Sequence, residues 1–358
     1  MTEPAPAKAP GPSGSRLRRF AGKFLLLFLA VTISLALLEL TVRRLFPFFN
    51  PHAQVPFILT TNGIGLGPPL QTVRQATPKG DYDSLIRFNE DGFRDARNLR
   101  EARESDWFAL GDSYTIGWGV QEHERFSNRL EEDFKTNGIQ ARVFNVAIPD
   151  NIIGYQRLLK YAESRGPKIR HLIVGICMEN DLRDYRDGKS AWDLMPQPTA
   201  PASGKEAVRR WLKSHSALYI AASFSLQKVP VLRGLLERAG IARDIDQLTG
   251  KNEWNEIVLK TSRDELVKLV SGRDALLLII PARHLWRGDN IETENRIHSA
   301  FVGLLREAGL EVLDLKPALE AQGEPLSCYF KTDPHWNARG HAVAARELFK
   351  AIQARGSK

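Results

Sequence analysis

The strongest constraint on the fold is a strict alternation of strand-like and helix-like segments after residue 105. Short apolar, β-branched runs alternate with segments that have the apolar period of an amphipathic helix. The runs predict strands at 107–110, 142–147, 171–176, 275–280 and 311–315. The helices are predicted at 126–134, 153–162, 264–270, 292–305 and 342–352. This alternation predicts βαβ units with right-handed crossovers, and therefore one doubly wound α/β domain with a parallel sheet.

Small and polar residues follow four of these strands where each strand ends. The first strand stops at Gly111–Ser113, and the second runs into Asn145–Ala147. Glu179–Asp181 follows the third strand, and Asp333–His335 follows the fifth. Because the carboxyl ends of parallel strands meet at one edge of the sheet, these four segments predict one site there.

The residue types at this edge suit nucleophilic catalysis. A serine hydroxyl needs a base, and we predict that His335 takes the proton of Ser113. Asp333 lies two residues before His335, so in extended chain both side chains project to the same side and the carboxylate can orient the imidazole. The amides of Ser113 and Ala147 and the side chain of Asn180 are candidate donors to an oxyanion.

Each of these interpretations has a structural alternative. Gly, Asp and Ser are ordinary residues of a turn after a strand, and Asn180 could simply cap a turn. Asp112 is interpreted as a structural partner of the serine turn, and His284 is an alternative base. His341, on the last predicted helix, is interpreted as a packing residue, and the remaining histidines lack metal-ligand spacing.

The four segments together resemble the sequence blocks of the SGNH (GDSL-type) serine hydrolases over residues 105–355. The resemblance implies a flavodoxin-like three-layer α/β/α sandwich with a five-stranded parallel sheet, no metal or other cofactor, and esterase or acyl-transfer chemistry. It assigns Ser113, His335 and Asp333 as the catalytic residues and Ser113, Ala147 and Asn180 as the oxyanion donors.

Two departures narrow the resemblance. Ala147 stands where the family usually has glycine, so a Cβ narrows the approach to that amide. The last block has one residue between Asp333 and His335, and Trp336 follows. This Asp-x-His-Trp order resembles the branch that handles O-acetyl groups on exported polysaccharides, such as the alginate acetylation proteins.

The N-terminal region predicts a membrane anchor. We expect a disordered, basic cytoplasmic tail at 1–23 and a transmembrane helix at 24–42, with a cleaved signal peptide as the alternative. More basic residues precede the apolar run than follow it, which places the N-terminus in the cytoplasm and the remainder in the periplasm or outside the cell. A stalk or cover at 43–104 and a hydrolase domain at 105–356, with an insert at about 183–260, complete the predicted organisation.

Composition limits the other possibilities. Two cysteines, Cys177 and Cys328, exclude a disulfide framework, although both fall near predicted strand ends and could pair with each other. The net charge of +8 is spread along the chain without a basic motif, which argues against nucleic-acid binding. Trp192, Trp211 and Trp254 in the insert are interpreted as core residues of a helical cap, with sugar stacking or an acyl pocket as alternatives.

The predicted function is a membrane-anchored serine esterase or O-acyltransferase acting on acyl esters, in particular acetyl esters, of an extracytoplasmic glycan. The expected partners are an acyl-ester substrate, a polysaccharide and the lipid bilayer. The alternatives are a lipase or thioesterase whose insert covers an acyl pocket, and a non-catalytic glycan-binding or assembly protein on the same fold.

Overall fold

The structure is a computed structural model that describes residues 13–51, 55–77, 80–194, 204–227 and 255–356. Residues 1–12 of the tail predicted to be disordered, two parts of the insert and Trp254 lie outside the described residues. Residues 13–23 of that tail are helical and not disordered, because they continue the long apolar helix toward the N-terminus.

The five predicted strands form one parallel sheet. They are β5 (Trp107–Leu110), β6 (Val143–Asn145), β7 (His171–Cys177), β8 (Asp274–Ile280) and β9 (Val312–Asp314), in the spatial order β6-β5-β7-β8-β9. This is a flavodoxin-like order, in which the chain reverses direction across the sheet between β5 and β7. The predicted doubly wound sheet is confirmed.

Helices cover both faces of the sheet. Those that follow the strands are α2 (Ser113–Ile116), α3 (Phe126–Thr136), α4 (Ile152–Ser164), α8 (Glu256–Val270), α9 (Ile291–Glu307), α10 (Lys316–Glu320) and α11 (Ala338–Gly356). Alternate strand residues point to opposite faces. Phe108 and Leu110 pack in the core that contains α4, α8 and α9, whereas Trp107 and Ala109 pack with α3 and α11. The result is the three-layer sandwich that the resemblance implied.

The segment before the sheet contributes to the core. It forms two small antiparallel hairpins, β1 (Ile58–Leu59) with β2 (Gly65–Leu66) and β3 (Thr72–Ala76) with β4 (Asp83–Arg87). Ile86, Phe88 and Phe93 are almost completely buried in the larger core cluster. The described part of 55–104 therefore covers the sheet and does not extend from it as a stalk.

One long helix precedes these hairpins. Helix α1 (Ser13–Leu45) contains a 26-residue apolar stretch, Phe20–Leu45, which is long and apolar enough to cross a membrane. It is the one helix of this length and composition among the described residues. A signal sequence can have the same length and composition.

The described part of the insert is helical. It contains α5 (Ala191–Leu194), α6 (Gly204–His215) and α7 (Ala217–Gln227), and α7 packs against α1. Trp192 is buried in the larger core cluster, as the core interpretation expected, whereas Trp211 is 59% exposed.

The two cysteines do not form the disulfide considered above. Cys177 and Cys328 are both free and buried, and both belong to the core cluster that contains α3 and α11. They behave as small apolar residues.

The turn between β5 and α2 depends on a glycine. A Cβ at Gly111 would lie 2.3 Å from Thr115 Oγ1 and 2.8 Å from the Gly175 carbonyl oxygen. We expect Gly111→Ala to lower the free energy of unfolding by about 2 to 3 kcal/mol, because backbone or core atoms must shift to admit the methyl group. Chemical denaturation of this variant measures the loss.

The matched control is Gly303→Ala, because a Cβ at this position in α9 meets nothing within 4 Å. It should leave stability unchanged or raise it, since alanine favours the helix. Equal stability of the two variants would contradict the steric argument.

Candidate active site

Ser113 lies at the amino end of α2, directly after β5. The preceding Asp112 caps this helix, and its Oδ1 accepts a 2.9 Å hydrogen bond from the Tyr114 amide. The Ser113 amide is the first of the helix, so it has no acceptor within the helix. The turn therefore presents both the hydroxyl and the N–H of Ser113 at the carboxyl edge of the sheet.

The structure brings Ser113, His335 and Asp333 together. His335 Nε2 lies 2.7 Å from Ser113 Oγ, and His335 Nδ1 lies 2.6 Å from Asp333 Oδ1. The side chains of His335 and Asp333 are 16% and 18% exposed, so they are shielded but reachable. This is the geometry that a serine nucleophile, its base and an orienting carboxylate require. His335, and not the alternative His284, contacts the serine.

The chain around Asp333 is a tight bend and not the expected extended segment. The Phe330 amide donates to the His335 carbonyl oxygen at 2.9 Å, which closes the bend. Asp333 Oδ1 also accepts a 3.0 Å hydrogen bond from the His335 amide. Aspartate readily accepts from the amide two residues later, so this local bond brings the carboxylate to the imidazole.

Aromatic side chains hold the His335 ring in place. The rings of Tyr114 and Trp118 lie 4.8 Å and 5.7 Å from it, and the Tyr114 hydroxyl donates to the Pro334 carbonyl oxygen at 2.7 Å. Trp336 is fully buried and packs edge-on against Tyr114. The tryptophan that follows the histidine thus anchors the bend in the core.

The β3–β4 hairpin contributes residues that the sequence did not predict for this site. Tyr82 donates to Asp333 Oδ2 at 3.2 Å and accepts from Trp118 Nε1 at 2.8 Å. Asp81 Oδ2 accepts from the amides of Thr332 and Asp333 at 2.9 Å and 2.8 Å. Because Tyr82 and Asp333 lie 251 residues apart, no spacing pattern in the chain could have related them.

These contacts also set the charge of the carboxylate. Burial opposes ionisation of Asp333, but the hydrogen bonds and charge of His335, with the bond from Tyr82, outweigh it and lower the pKa of Asp333. Burial and the adjacent Asp333 raise the pKa of Tyr82, so this phenol stays a proton donor. Asp333 is therefore ionised and oriented at neutral pH.

We expect Tyr82→Phe to lower kcat/KM about tenfold, because one hydrogen bond to the charged Asp333 is lost while the ring still packs. Steady-state esterase kinetics measure the loss. The control is Tyr161→Phe, because the Tyr161 hydroxyl donates to the Asp91 carbonyl oxygen away from this site. If both variants keep full activity, Tyr82 does not position Asp333.

Asn180 lies beside the serine turn, at the end of β7. Its side chain is exposed, and its Nδ2 donates to Asp112 Oδ2 at 3.2 Å. An asparagine amide has two N–H groups, so this bond orients the side chain and leaves the second N–H for a ligand. Burial raises the pKa of Asp112. The nearby His335 and the hydrogen bonds from Tyr114 and Asn180 act in the opposite direction but do not cancel the effect of burial. Asp112 thus supports the serine turn, as its structural interpretation expected.

In the loop after β6, the amide of Ala147, predicted as an oxyanion donor, already has a hydrogen-bond acceptor. The Ala147 amide donates to Asn145 Oδ1 at 3.2 Å, and Ala147 is fully buried. Asn145 is held in turn by the bond from its Nδ2 to the Thr115 carbonyl oxygen at 2.7 Å. Among the described residues, the Asp150 amide of this loop has no acceptor. The role of Ala147 as an oxyanion donor stays a prediction, and Asp150 offers the unengaged N–H of the same loop.

Two further predictions concern histidines and metals. His341 is almost completely buried on α11, where burial and nearby arginines lower its pKa to about 3. Its ring stacks on Phe126, so it is a packing residue. In the part of the chain that the structure describes, no three His, Cys, Asp or Glu side chains form a group that could hold a metal ion.

Residues 251–358 match the family model described as the SGNH hydrolase-like domain of the acetyltransferase AlgX. The match contains Asp333 and His335, whereas Ser113 and Asn180 lie before it. Over these residues it confirms the predicted resemblance to the SGNH hydrolases and to the alginate acetylation proteins. No curated protein matches the chain.

Several solved structures resemble the chain. The esterase EstA from Pseudoalteromonas sp. is 11% identical, with a TM-score of 0.39 over 71% of this chain and 100% of that chain. A lipase/acylhydrolase from Enterococcus faecalis is 15% identical, with a TM-score of 0.40 over 70% and 96%. The acetyl xylan esterase AlAXEase is 16% identical, with a TM-score of 0.40 over 69% and 99%.

Proposed function

We propose that this chain, an ester-acting enzyme with an SGNH hydrolase-like domain, uses Ser113 as its nucleophile, His335 as its base and Asp333 to orient the base. The observation that carries the proposal is the pair of short contacts at His335. Its Nε2 lies 2.7 Å from the serine oxygen, and its Nδ1 lies 2.6 Å from the carboxylate.

The first half of the reaction follows from these contacts. Ser113 Oγ attacks the acyl carbonyl carbon while His335 Nε2 takes the hydroxyl proton, and Asp333 stabilises the imidazolium that forms. The Ser113 N–H and the second N–H of Asn180 donate to the oxyanion, with a third donor from the loop that contains Ala147 and Asp150. The C–O bond of the ester breaks, and His335 returns the proton to the leaving alcohol.

The second half decides between hydrolysis and transfer. The acyl group is now an ester of Ser113, and water or a second hydroxyl attacks its carbonyl carbon while His335 again takes the proton. The bond between the acyl carbon and Ser113 Oγ then breaks, and His335 returns the proton to Ser113. If water attacks, the enzyme is an esterase. If a sugar hydroxyl attacks, it is an O-acyltransferase.

An acetyl ester of an extracytoplasmic glycan is the substrate that the observations favour. The matched family is that of an acetyltransferase. The site is open, because Thr332, Pro334 and Asn180 at its rim are exposed, and an open rim admits a sugar chain. The described insert helix α7 packs against α1, and α6 contacts α7 and is bonded to Arg43 of α1 through the His215 carbonyl oxygen. This placement argues against the lipase or thioesterase alternative with the insert as a cover.

The proposed location is a single-pass membrane protein with an uncleaved anchor, a cytoplasmic N-terminus and a periplasmic or extracytoplasmic domain. The apolar stretch Phe20–Leu45 and the basic flank at residues 16–23 support this topology. A reporter fused to the C-terminus tests it, and activity of a cytoplasm-specific reporter would contradict it.

The function is tested with the full-length protein in detergent or nanodiscs. Turnover of acetyl esters is measured with and without an oligosaccharide acceptor, alongside acyl esters of increasing length. We expect short acyl esters to be preferred, and acetylated acceptor identifies the transferase. A preference for long acyl chains would favour the lipase or thioesterase alternative. Absence of turnover and of labelling by a fluorophosphonate would favour a non-catalytic glycan-binding protein.

A further inference from the structure

Helix α7 of the insert is capped by a residue of the apolar helix α1. The Glu39 carboxylate accepts hydrogen bonds from the Ser216 hydroxyl and from the amides of Ala217 and Leu218, each at 2.8 Å. The first amides of a helix lack partners within it and carry partial positive charge, so a carboxylate stabilises them. Glu39, a charged residue in an apolar helix, thus has a specific structural role.

A second contact joins the same two segments. Arg43 Nε lies 2.6 Å from Glu39 Oε1, and an Arg43 Nη donates to the His215 carbonyl oxygen at the end of α6. Residues 39 and 43 lie on one face of α1, one turn apart. The junction of α6 and α7 is therefore fixed to the C-terminal end of α1 through two side chains.

Helix α7 runs from this junction toward the end of α1. The Phe224 ring, near the end of α7, lies 5.7 Å from that of Phe49, which follows α1. Phe49 in turn contacts the ring of Phe48 at 4.7 Å. Glu39 precedes the last residue of α1, Leu45, by about 9 Å of helix rise. The α6–α7 junction therefore lies at the depth where α1 would leave a bilayer.

Helix α6, whose last residue His215 is bonded to Arg43, presents apolar side chains to solvent. Val208 and Trp211 are each 59% exposed, and their spacing places them on one face of the helix. Arg209 and Lys213, also exposed, lie four residues apart on a neighbouring face. A helix with exposed tryptophan and valine beside basic residues suits the boundary between lipid headgroups and acyl chains.

We propose that α6 and α7 lie in the outward headgroup region of the bilayer that α1 spans, with Val208 and Trp211 directed to the acyl chains. The proposal rests on the membrane topology given under the proposed function. The occupant of the exposed α6 face is phospholipid, because Trp211 stacks on His215, whose carbonyl oxygen accepts a hydrogen bond from Arg43 of the anchor helix.

The test places an environment-sensitive fluorophore on Trp211→Cys in the full-length protein. The native Cys177 and Cys328 are buried, so the introduced thiol is labelled selectively under native conditions. The protein is reconstituted into nanodiscs of phosphatidylethanolamine and phosphatidylglycerol. We expect a blue-shifted emission, quenching by lipids with a spin label near the headgroup, and loss of quenching by aqueous iodide.

Two matched variants complete the experiment. The same label on Lys350→Cys, an exposed position on α11, should be quenched by iodide and not by spin-labelled lipid. Adding Glu39→Gln to Trp211→Cys should raise iodide quenching toward that of the Lys350 position, because the cap of α7 is weakened.

Iodide quenching at residue 211 equal to that at residue 350 would overturn the proposal. Protection that depends on protein concentration and not on lipid would also overturn it, in favour of a second copy of the chain. Alkaline carbonate extraction tests separately whether α1 is a membrane anchor. Release of the protein from membranes would show that the anchor itself is wrong, whereas retention with an exposed residue 211 refutes only the placement of α6 and α7.

Discussion

Replacing Ser113 by alanine is expected to lower kcat/KM for acetyl esters by at least about 10,000-fold, because the attacking oxygen is removed and only binding and the oxyanion donors remain. The serine lies on the first turn of α2 with its hydroxyl 2.7 Å from His335, and its side chain is not part of the core. The loss should therefore appear without a change in the free energy of unfolding. Ester hydrolysis and labelling by a fluorophosphonate measure it.

The control for this variant is Ser271→Ala, which changes an exposed serine at the end of α8, outside the candidate site. It should keep wild-type turnover and wild-type labelling. Equal labelling of the wild type and of Ser113→Ala would assign the reactive nucleophile to another residue.

Asp333→Asn should lower kcat by about 1,000- to 10,000-fold while the protein stays folded. The carboxylate accepts the Nδ1 proton of His335 at 2.6 Å, which leaves Nε2 free to take the proton of Ser113. An asparagine amide can donate to Nδ1 instead, which favours the wrong tautomer, and it cannot stabilise the imidazolium. A pre-steady-state assay of acyl-enzyme formation measures the defect at the step where the base acts.

The exposed Asp264, paired with Arg263 on α8, provides the matched change of charge. Asp264→Asn should have unaltered kinetics. A loss below about tenfold for Asp333→Asn would mean that His335 does not depend on this carboxylate, since a hydrogen bond of ordinary strength accounts for an effect of that size.

Most of the fold could be predicted from local sequence patterns. The predicted first strand coincides with β5, because its residues are buried on both faces and read as a continuous apolar run. The second strand was predicted at 142–147, but β6 ends at Asn145. The prediction was too long because Val146 and Ala147 are as buried as the strand although they belong to a loop. Burial by itself does not distinguish a strand from a packed loop.

Contacts between residues far apart in the sequence could not be predicted from these local patterns. The segment before the sheet, with its prolines and glycines, has no sustained period, yet it packs Phe88 and Phe93 into the core and brings Tyr82 to Asp333. The sequence also could not show which backbone amide of the loop after β6 lacks a hydrogen-bond acceptor. The Ala147 amide is engaged by the side chain of Asn145, whose orientation depends on Thr115 in another element.

The doubly wound sheet and the edge at which Ser113, Asn180, Asp333 and His335 gather were predictable from the sequence, because they depend on local periodicity and on the rule that parallel strands end at one edge. The groups that orient these residues and the position of the insert were not predictable in this way. Tyr82 reaches Asp333 across 251 residues, and Glu39 caps α7 across 177 to 179 residues. Such contacts depend on how separate elements pack, which no pattern within one element contains.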